Sequence, residues 1–278
     1  MSGRGAGLSG HGGRLSGRRY AHVLGAFWQV SLAEELQYRG NFLASLLNTV
    51  FWMAMALLTA GVFFRQTDAL GGWSFWQVVV LLGVFNAVAG VVEGVLRPNI
   101  GKLVEHVRRG SLDLILVKPV DAQFMVSFRQ LVFWNVSDVL LGLGLSAYGL
   151  HRLHITPAAL DIAAFAIAVC AAVAIVYAVW LGLMTLAFWF VAVENLAVLF
   201  DALYETARFP VSAYPPVLRF LLVYLVPIAW ITTVPAGMLT GHGSLLRALE
   251  AAGVALLALT LTRLLWRAAL RRYTSAGG

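Results

Sequence analysis

Residues 162–193 read IAAFAIAVCAAVAIVYAVWLGLMTLAFWFVAV, 32 positions without a charged side chain. A hydrocarbon core about 30 Å thick is crossed by about 20 apolar residues in a helix. At about 1.5 Å per residue this segment would be about 48 Å long. It must therefore tilt, protrude or break, and Gly182 is the candidate break. Outward from it the chain repeats the theme. Residues 40–64 and 69–92 carry no charge over 25 and 24 positions, and 122–151 carries only Arg129 and Asp138. Residues 220–246 are uncharged for 27 positions but are interrupted by Pro227 and Pro235. Residues 251–262 reach span length once 245–250 and 263–266 are added. The expectation is an all-α polytopic membrane protein.

Composition agrees. Of 278 residues, 60% are hydrophobic and 12% charged, where a soluble domain has about a quarter charged. That argues against a soluble enzyme. The single cysteine, Cys170, excludes an internal disulfide and a cysteine-built metal cluster. The net charge of +7 lies between apolar runs, which points to a lipid bilayer and not to nucleic acid. No cofactor site is expected. Gly101-Lys102 lacks the P-loop glycine before it and the Ser or Thr after it. Gly142-x-Gly144-x-x-Ala147 lies inside a span, where it reads as a close-packing motif, as do Gly90-x-x-x-Gly94 and Gly237-x-x-x-Gly241. His151 and His154 have no third ligand near them and read as a solvated loop pair.

Residues 1–19, rich in Gly, Ser and Arg, read as a disordered basic tail and not as a signal peptide. Over 20–38, Tyr20, Val23, Leu24, Phe27, Trp28 and Ser31 recur at helical spacing. This predicts an amphipathic helix in the membrane interface, against the plainer reading of a helix packed on protein. Lys and Arg concentrate in the N-terminal segment, in 98–121 and at the C-terminus. The loops at 65–73 and 151–158 hold one each, Arg65 and Arg152. The positive-inside rule then places both termini and 98–121 in the cytoplasm, which requires an even number of crossings, six. Residues 191–244 admit two readings. Either 192–219 is cytoplasmic and 220–239 is the fifth span, or 195–209 is a short fifth span. In the second case 210–243 folds back as broken half-helices at the outer face.

Charges inside spans are costly and usually functional or paired. Glu93 and Arg97, four apart, can pair on the second span. Asp138 lies mid-span with no basic residue within a turn, so it serves either a translocation path or a buried hydrogen bond. Asp201, Glu205 and Arg208 share one helix face: an internal ion cluster if 195–209 is in the membrane, a solvated face if it is cytoplasmic. Residues 98–110 read as a surface helix opened by Pro98 and closed by Gly110. Its apolar face is Ile100, Leu103, Val104 and Val107, and its polar face is Lys102, Glu105, Arg108 and Arg109.

An interfacial helix, two spans, a cytoplasmic helix and then Gly110-Ser-Leu-Asp-Leu-Ile-Leu-Val-Lys-Pro119 resemble the membrane subunits of type-2 ABC exporters. So does the later series Arg208-Phe-Pro-Val-Ser-Ala-Tyr-Pro215, Leu218-Arg219, Val226-Pro227 and Val234-Pro235-Ala236. The resemblance covers about residues 20–270. It implies six spans, at 41–64, 74–97, 122–150, 160–190, 195–210 and 245–267. It implies a coupling region at 98–121, with Lys102, Glu105, His106, Arg108, Arg109 and Asp113 facing an ATPase. It implies a re-entrant external hairpin over 211–242, marked by Pro210, Tyr214, Pro215, Arg219, Pro227 and Pro235. It further implies a permease dimer, self-paired or with a sister subunit, in a bacterial inner membrane. A separate ATPase subunit would bind ATP and Mg. This chain would carry no catalytic residue. The alternative function is an ion- or proton-coupled secondary transporter using Asp138, and a third is a lipid-modifying membrane enzyme.

Overall fold

The computed structural model describes residues 17–36, 39–190 and 193–273; most of the basic tail, residues 1–16, lies outside them. The protein is an all-α polytopic membrane protein, with no strand among the described residues. Helix α1 is Gly17–Leu36, three residues longer at its start than the sequence suggested, and α2 is Arg39–Phe63. Helix α3, Phe75–Val91, runs through a π-helical turn at Val92–Leu96 into α4, Arg97–Ile100, and α5, Leu103–Arg108. Together these make one 34-residue helix, Phe75–Arg108. Short α6, Asp113–Leu116, and α7, Ala122–Phe128, precede α8, Val136–Leu153. Then come α9, Ala159–Thr185, and α10, Val193–Glu205. Next are α11, Pro216–Phe220, and α12, Thr233–Thr240, and the fold closes with α13, Leu245–Arg272.

Four helices are long and apolar enough to cross a membrane: Phe42–Phe63, Phe75–Arg108, Ala159–Phe188 and Leu245–Arg272. Two bent pairs qualify only as pairs, Ala122–Phe128 with Phe133–Leu153 at 69° and Pro216–Leu225 with Ile228–Thr240 at 73°. The second pair is anchored at both ends to the 71–73 loop. The Ser212 hydroxyl, just before it, donates to Gly71 O at 2.6 Å, and just after it His242 stacks on Trp73. Between these anchors its tip lines a cavity with Ala178 and Thr262, well inside α9 and α13. Both ends of the pair thus meet the 71–73 loop, at what may be called the hairpin end. Opposite lies the loop end, where α1 meets α7 through Tyr20 and Phe124, and Arg263 of α13 meets Asp121. Helix α10 and its 3₁₀ turn Thr206–Arg208 connect the two ends. Near α10's start Ala197 shares a cavity with Gly101, and Phe209 beyond it packs on Phe63.

The centre of the bundle is α3, whose residues from Val78 to Phe85 are all buried. In a membrane, lipid is as apolar as leucine, so helices associate by close fit of small residues more than by water exclusion. Here the fit is between α3 and α8. A Cβ at Gly142 would stand 2.5 Å from Ala87 N and Gly83 O, and one at Gly90 2.9 Å from Asn135 O. Gly83 and Gly90 are seven apart, as are Gly142 and Gly149, the spacing of a coiled-coil seam. Gly144 meets nothing within 4 Å, so the packing pair is Gly142 and Gly149, not Gly142 and Gly144. Gly241 likewise does not pack: at φ 82° it ends α12.

Two expectations about breaks change. Helix α9 passes Gly182 unbroken to Thr185 and tightens to 3₁₀ only at Leu186–Phe188. Gly182 instead lets Thr262 of α13 come close, and the Thr262 hydroxyl donates to Ala178 O at 2.7 Å. Pro98 does not open a separate surface helix. It lies inside the long helix, where the amide it lacks leaves Gly94 O to accept from Val132 N at 2.8 Å, and the helix runs through. Gly110 does close α5's end, at φ 68°.

Candidate functional site

Four helices and one turn converge on a polar cleft of ≈ 330 Å³. Helix α2 contributes Asn48, Thr49 and Trp52; α3 contributes Asn86 and Ala89; α8 contributes Asp138. Glu205 and Arg208 close it from the α10 side. Asp138 is not mid-helix, as the uninterrupted reading of 122–150 placed it. The chain bends before it, so Asp138 falls in the first turn of α8, where the helix dipole favours a carboxylate. It accepts a hydrogen bond from the Thr49 hydroxyl, which also bonds Ser45 O. Thr49 is buried near the middle of α2.

Nearer the loop end, the π-helical turn of α3 carries a charge relay. Arg97 Nε meets Glu93 Oε1 at 2.8 Å, and its Nη2 meets Asp201 Oδ1 of α10 at 2.9 Å. The guanidinium also lies 4.5 Å from the Trp180 ring centroid. Asp201, Glu205 and Arg208 therefore do not form one cluster, as their shared helix face suggested. Asp201 pairs with Arg97, while Glu205 pairs with Arg208. Arg208 lies over the Phe85 ring, 4.8 Å from its centroid. A half-buried ion pair with such neighbours fixes α10 against α3, because removing one partner strands the other in low dielectric.

At the loop end the apolar face of α5 is occupied by the protein itself. Ile100, Leu103 and Val104 are buried, and Val104 lines a cavity with Trp180 and Met184 of α9. The outer face remains open. Lys102, Glu105, Arg108 and Arg109 are exposed. Glu105 pairs with Arg109 at 2.9 Å and Lys102 Nζ donates to the Gln130 side chain at 2.7 Å. His106 hydrogen-bonds Ser111. Asp113 is half-buried in the first turn of α6. Sequence reasoning passed over the apolar residues beside it. Leu114 and Val117 are 72% and 85% exposed at the tip of the region; only their alternation with buried Leu112 and Ile115 could have flagged them.

The proline-marked residues build the hairpin end. Pro210 leads into a 3₁₀ turn, Pro215 and Pro216 start α11, and Pro235 is buried in the first turn of α12. The Tyr214 hydroxyl donates to Thr206 O at 2.9 Å. Arg219 is not a loose cation: its guanidinium donates to Ser212 O and Tyr214 O, at 2.5 and 3.2 Å. Pro227 marks the bend between Leu225 and Ile228. His154, at φ 55°, caps α8 in a left-handed conformation.

A helical bundle with long apolar spans and two bent pairs belongs to the class of multi-pass membrane proteins. Residues 50–277 match the family model described as ABC-2 family transporter protein, and the chain belongs to that family. It is thus the transmembrane component of an ABC-type transporter, a membrane transport component and not itself the catalytic one. A search of curated proteins gives no match, and a search of solved structures gives none.

Proposed function

We propose that this chain is the membrane half of an ATP-driven exporter, working as a permease dimer beside a separate ATPase subunit that binds ATP and Mg. The observation that carries the reading is the single helix Phe75–Arg108, in a chain whose family is a transporter family. One end of that helix is a charged, exposed surface; its middle lines the polar cleft. A rigid element that spans both places can pass a push at one to a rearrangement at the other, as switching between inward and outward states requires. Residues 98–121 with both termini would face the cytoplasm, and 210–219 the outside. The second copy would be identical or a sister subunit, and the host membrane a bacterial inner membrane.

The test is co-purification from the native host. An ATPase subunit should come down with the wild-type protein, and less of it with the Arg108→Glu, Arg109→Glu double variant at equal protein level. Undiminished capture and transport would remove this surface from the interface. Orientation is checked with Ala213→Cys in a Cys170→Ser background, which should react with an impermeant thiol reagent in intact cells. An Asp138-dependent secondary transporter remains the second reading, because Asp138 lines the cleft. Transport driven by a proton gradient without any ATPase would favour it.

A further inference from the structure

We infer that the cleft at Asp138 binds an organic cation, an ammonium- or guanidinium-type group carried on an apolar body. The inference rests on the transporter reading and adds its substrate class. The cleft's one resident cation, Arg208, is engaged by Glu205 and laid over the Phe85 ring. Asp138 has no basic partner among the described residues; its hydrogen bonds come from the Thr49 and Ser137 side chains. The Thr49 proton is already shared with Ser45 O. Asn86 donates one amide N–H to Leu82 O at 2.8 Å, and its side-chain oxygen is an acceptor. The cleft's charged side chains, Asp138 and Glu205 against Arg208, therefore leave it one positive charge short of neutral.

Trp52 supplies the remaining feature. It lines the same cleft and is 53% exposed, and an indole face attracts a cation. The way in is apolar. On α2, Leu47, Phe51 and Leu58 are exposed beside the cleft residues, a surface that suits the hydrocarbon part of an amphiphile. An anion would meet Asp138 and Glu205 and is excluded by the same charges. Carboxylates at this depth are costly unless they have work to do, and a transported cation supplies the missing partner.

The experiment uses the purified full-length protein in lipid nanodiscs, titrated with ethidium, an aromatic cation that carries N–H donors, and read by fluorescence polarisation against empty nanodiscs. Fluorescein is the anionic probe of similar size. Saturable ethidium binding is expected, at least about tenfold weaker in Asp138→Asn, with no saturable binding of fluorescein. Because Asp138→Asn can fail to fold, Asn48→Lys is the second variant. Position 48 is exposed, and a lysine there places a resident ammonium in the cleft. It should weaken ethidium at least about tenfold. Equal ethidium affinity in the wild type and Asn48→Lys, no saturable ethidium binding at all, or equal binding of fluorescein would each overturn the inference. The readout needs no ATPase. Ethidium binding that persists when no ATPase co-purifies would therefore sink the exporter reading and leave the cleft assignment standing.

Discussion

The protein bends two membrane-length segments by nearly equal angles, 69° around residues 128–133 and 73° around 225–228, and it holds the two bends by different means. At the second, Pro227 has no N–H to satisfy, and its neighbours close on near residues. Val226 N donates to Leu221 O at 2.9 Å, and Ile231 N to Ile228 O at 2.9 Å. At the first there is no proline. Four consecutive amides are freed, and each finds a partner from elsewhere. Gln130 N donates to Asn99 Oδ1 at 2.7 Å, and Leu131 N to Ser31 Oγ at 3.3 Å. Val132 N donates to Gly94 O at 2.8 Å, and Phe133 N to Glu35 Oε2 at 2.7 Å. Buried amides must be paired. A bend that breaks its own ladder therefore has to be held by other helices. One bend is written locally; the other is an agreement among α1, the long α3–α5 helix and the 128–133 segment.

The contrast also explains α1. Tyr20, Phe27, Ser31 and Glu35 face protein: Tyr20 packs on Phe124, Phe27 on the core, and the other two hold the bend. Val30 and Leu36 remain 58% and 49% exposed. The helix is thus packed on protein along one face, and only its other face is free for the interface.

The comparison can be broken most severely at the packing that carries the first bend. Gly142→Leu would drive a side chain into the backbone of α3, where even a Cβ stands 2.5 Å from Ala87 N. Backbone cannot give way cheaply, so folded protein should be lost from detergent extracts, as read by size-exclusion chromatography. A normal monodisperse peak would mean that α3 and α8 are not held at this distance.

Next in size is Asn99→Leu. Asn99 is buried, and besides accepting from Gln130 N its amide donates to Gln130 O at 2.7 Å. Removing it strands a buried donor and acceptor, and the expected loss is about 3 kcal/mol, seen as a lower unfolding temperature in detergent. Pro227→Ala should cost less, about 1 kcal/mol, because the surrounding bonds remain and mainly chain entropy changes. If the proline variant proved the more damaging of the two, the distinction between a local and a shared bend would fall.

The smallest effect is a pH dependence at the start of the first bent pair. Burial pushes the Asp121 carboxyl up, but hydrogen bonds from Arg263 and Phe124 N, together with the Arg263 charge, outweigh it and hold the carboxyl below its ordinary range. A depressed carboxylate stabilises the fold above its unfolded value, about 4, and loses that contribution as pH falls through its lowered folded value. Unfolding temperature should therefore decline more steeply below about pH 4 in the wild type than in Asp121→Asn. Equal slopes would detach the pair from stability. The effect is small because Arg263 and Asp121 are 36% and 32% exposed and partly screened.

The amino-acid order alone determined the solvent of this protein, its helical class and the position of its long apolar runs. Those follow from composition and length, because lipid leaves the backbone few alternatives to helix. It also marked the hairpin end, since proline acts on its own neighbours. The Glu93–Arg97 pair was legible for the same reason, being one helical turn apart. Only the tertiary structure decided the rest. It bent 122–150 where no residue demands a bend, and so moved Asp138 from mid-helix to a first turn. It divided Asp201 from Glu205 and Arg208 by bringing Arg97 alongside. It joined Thr49, Asn86 and Asp138 into one cleft. Each of these depends on partners tens of residues away, and a hydrogen bond between distant residues leaves no period in the sequence that could announce it.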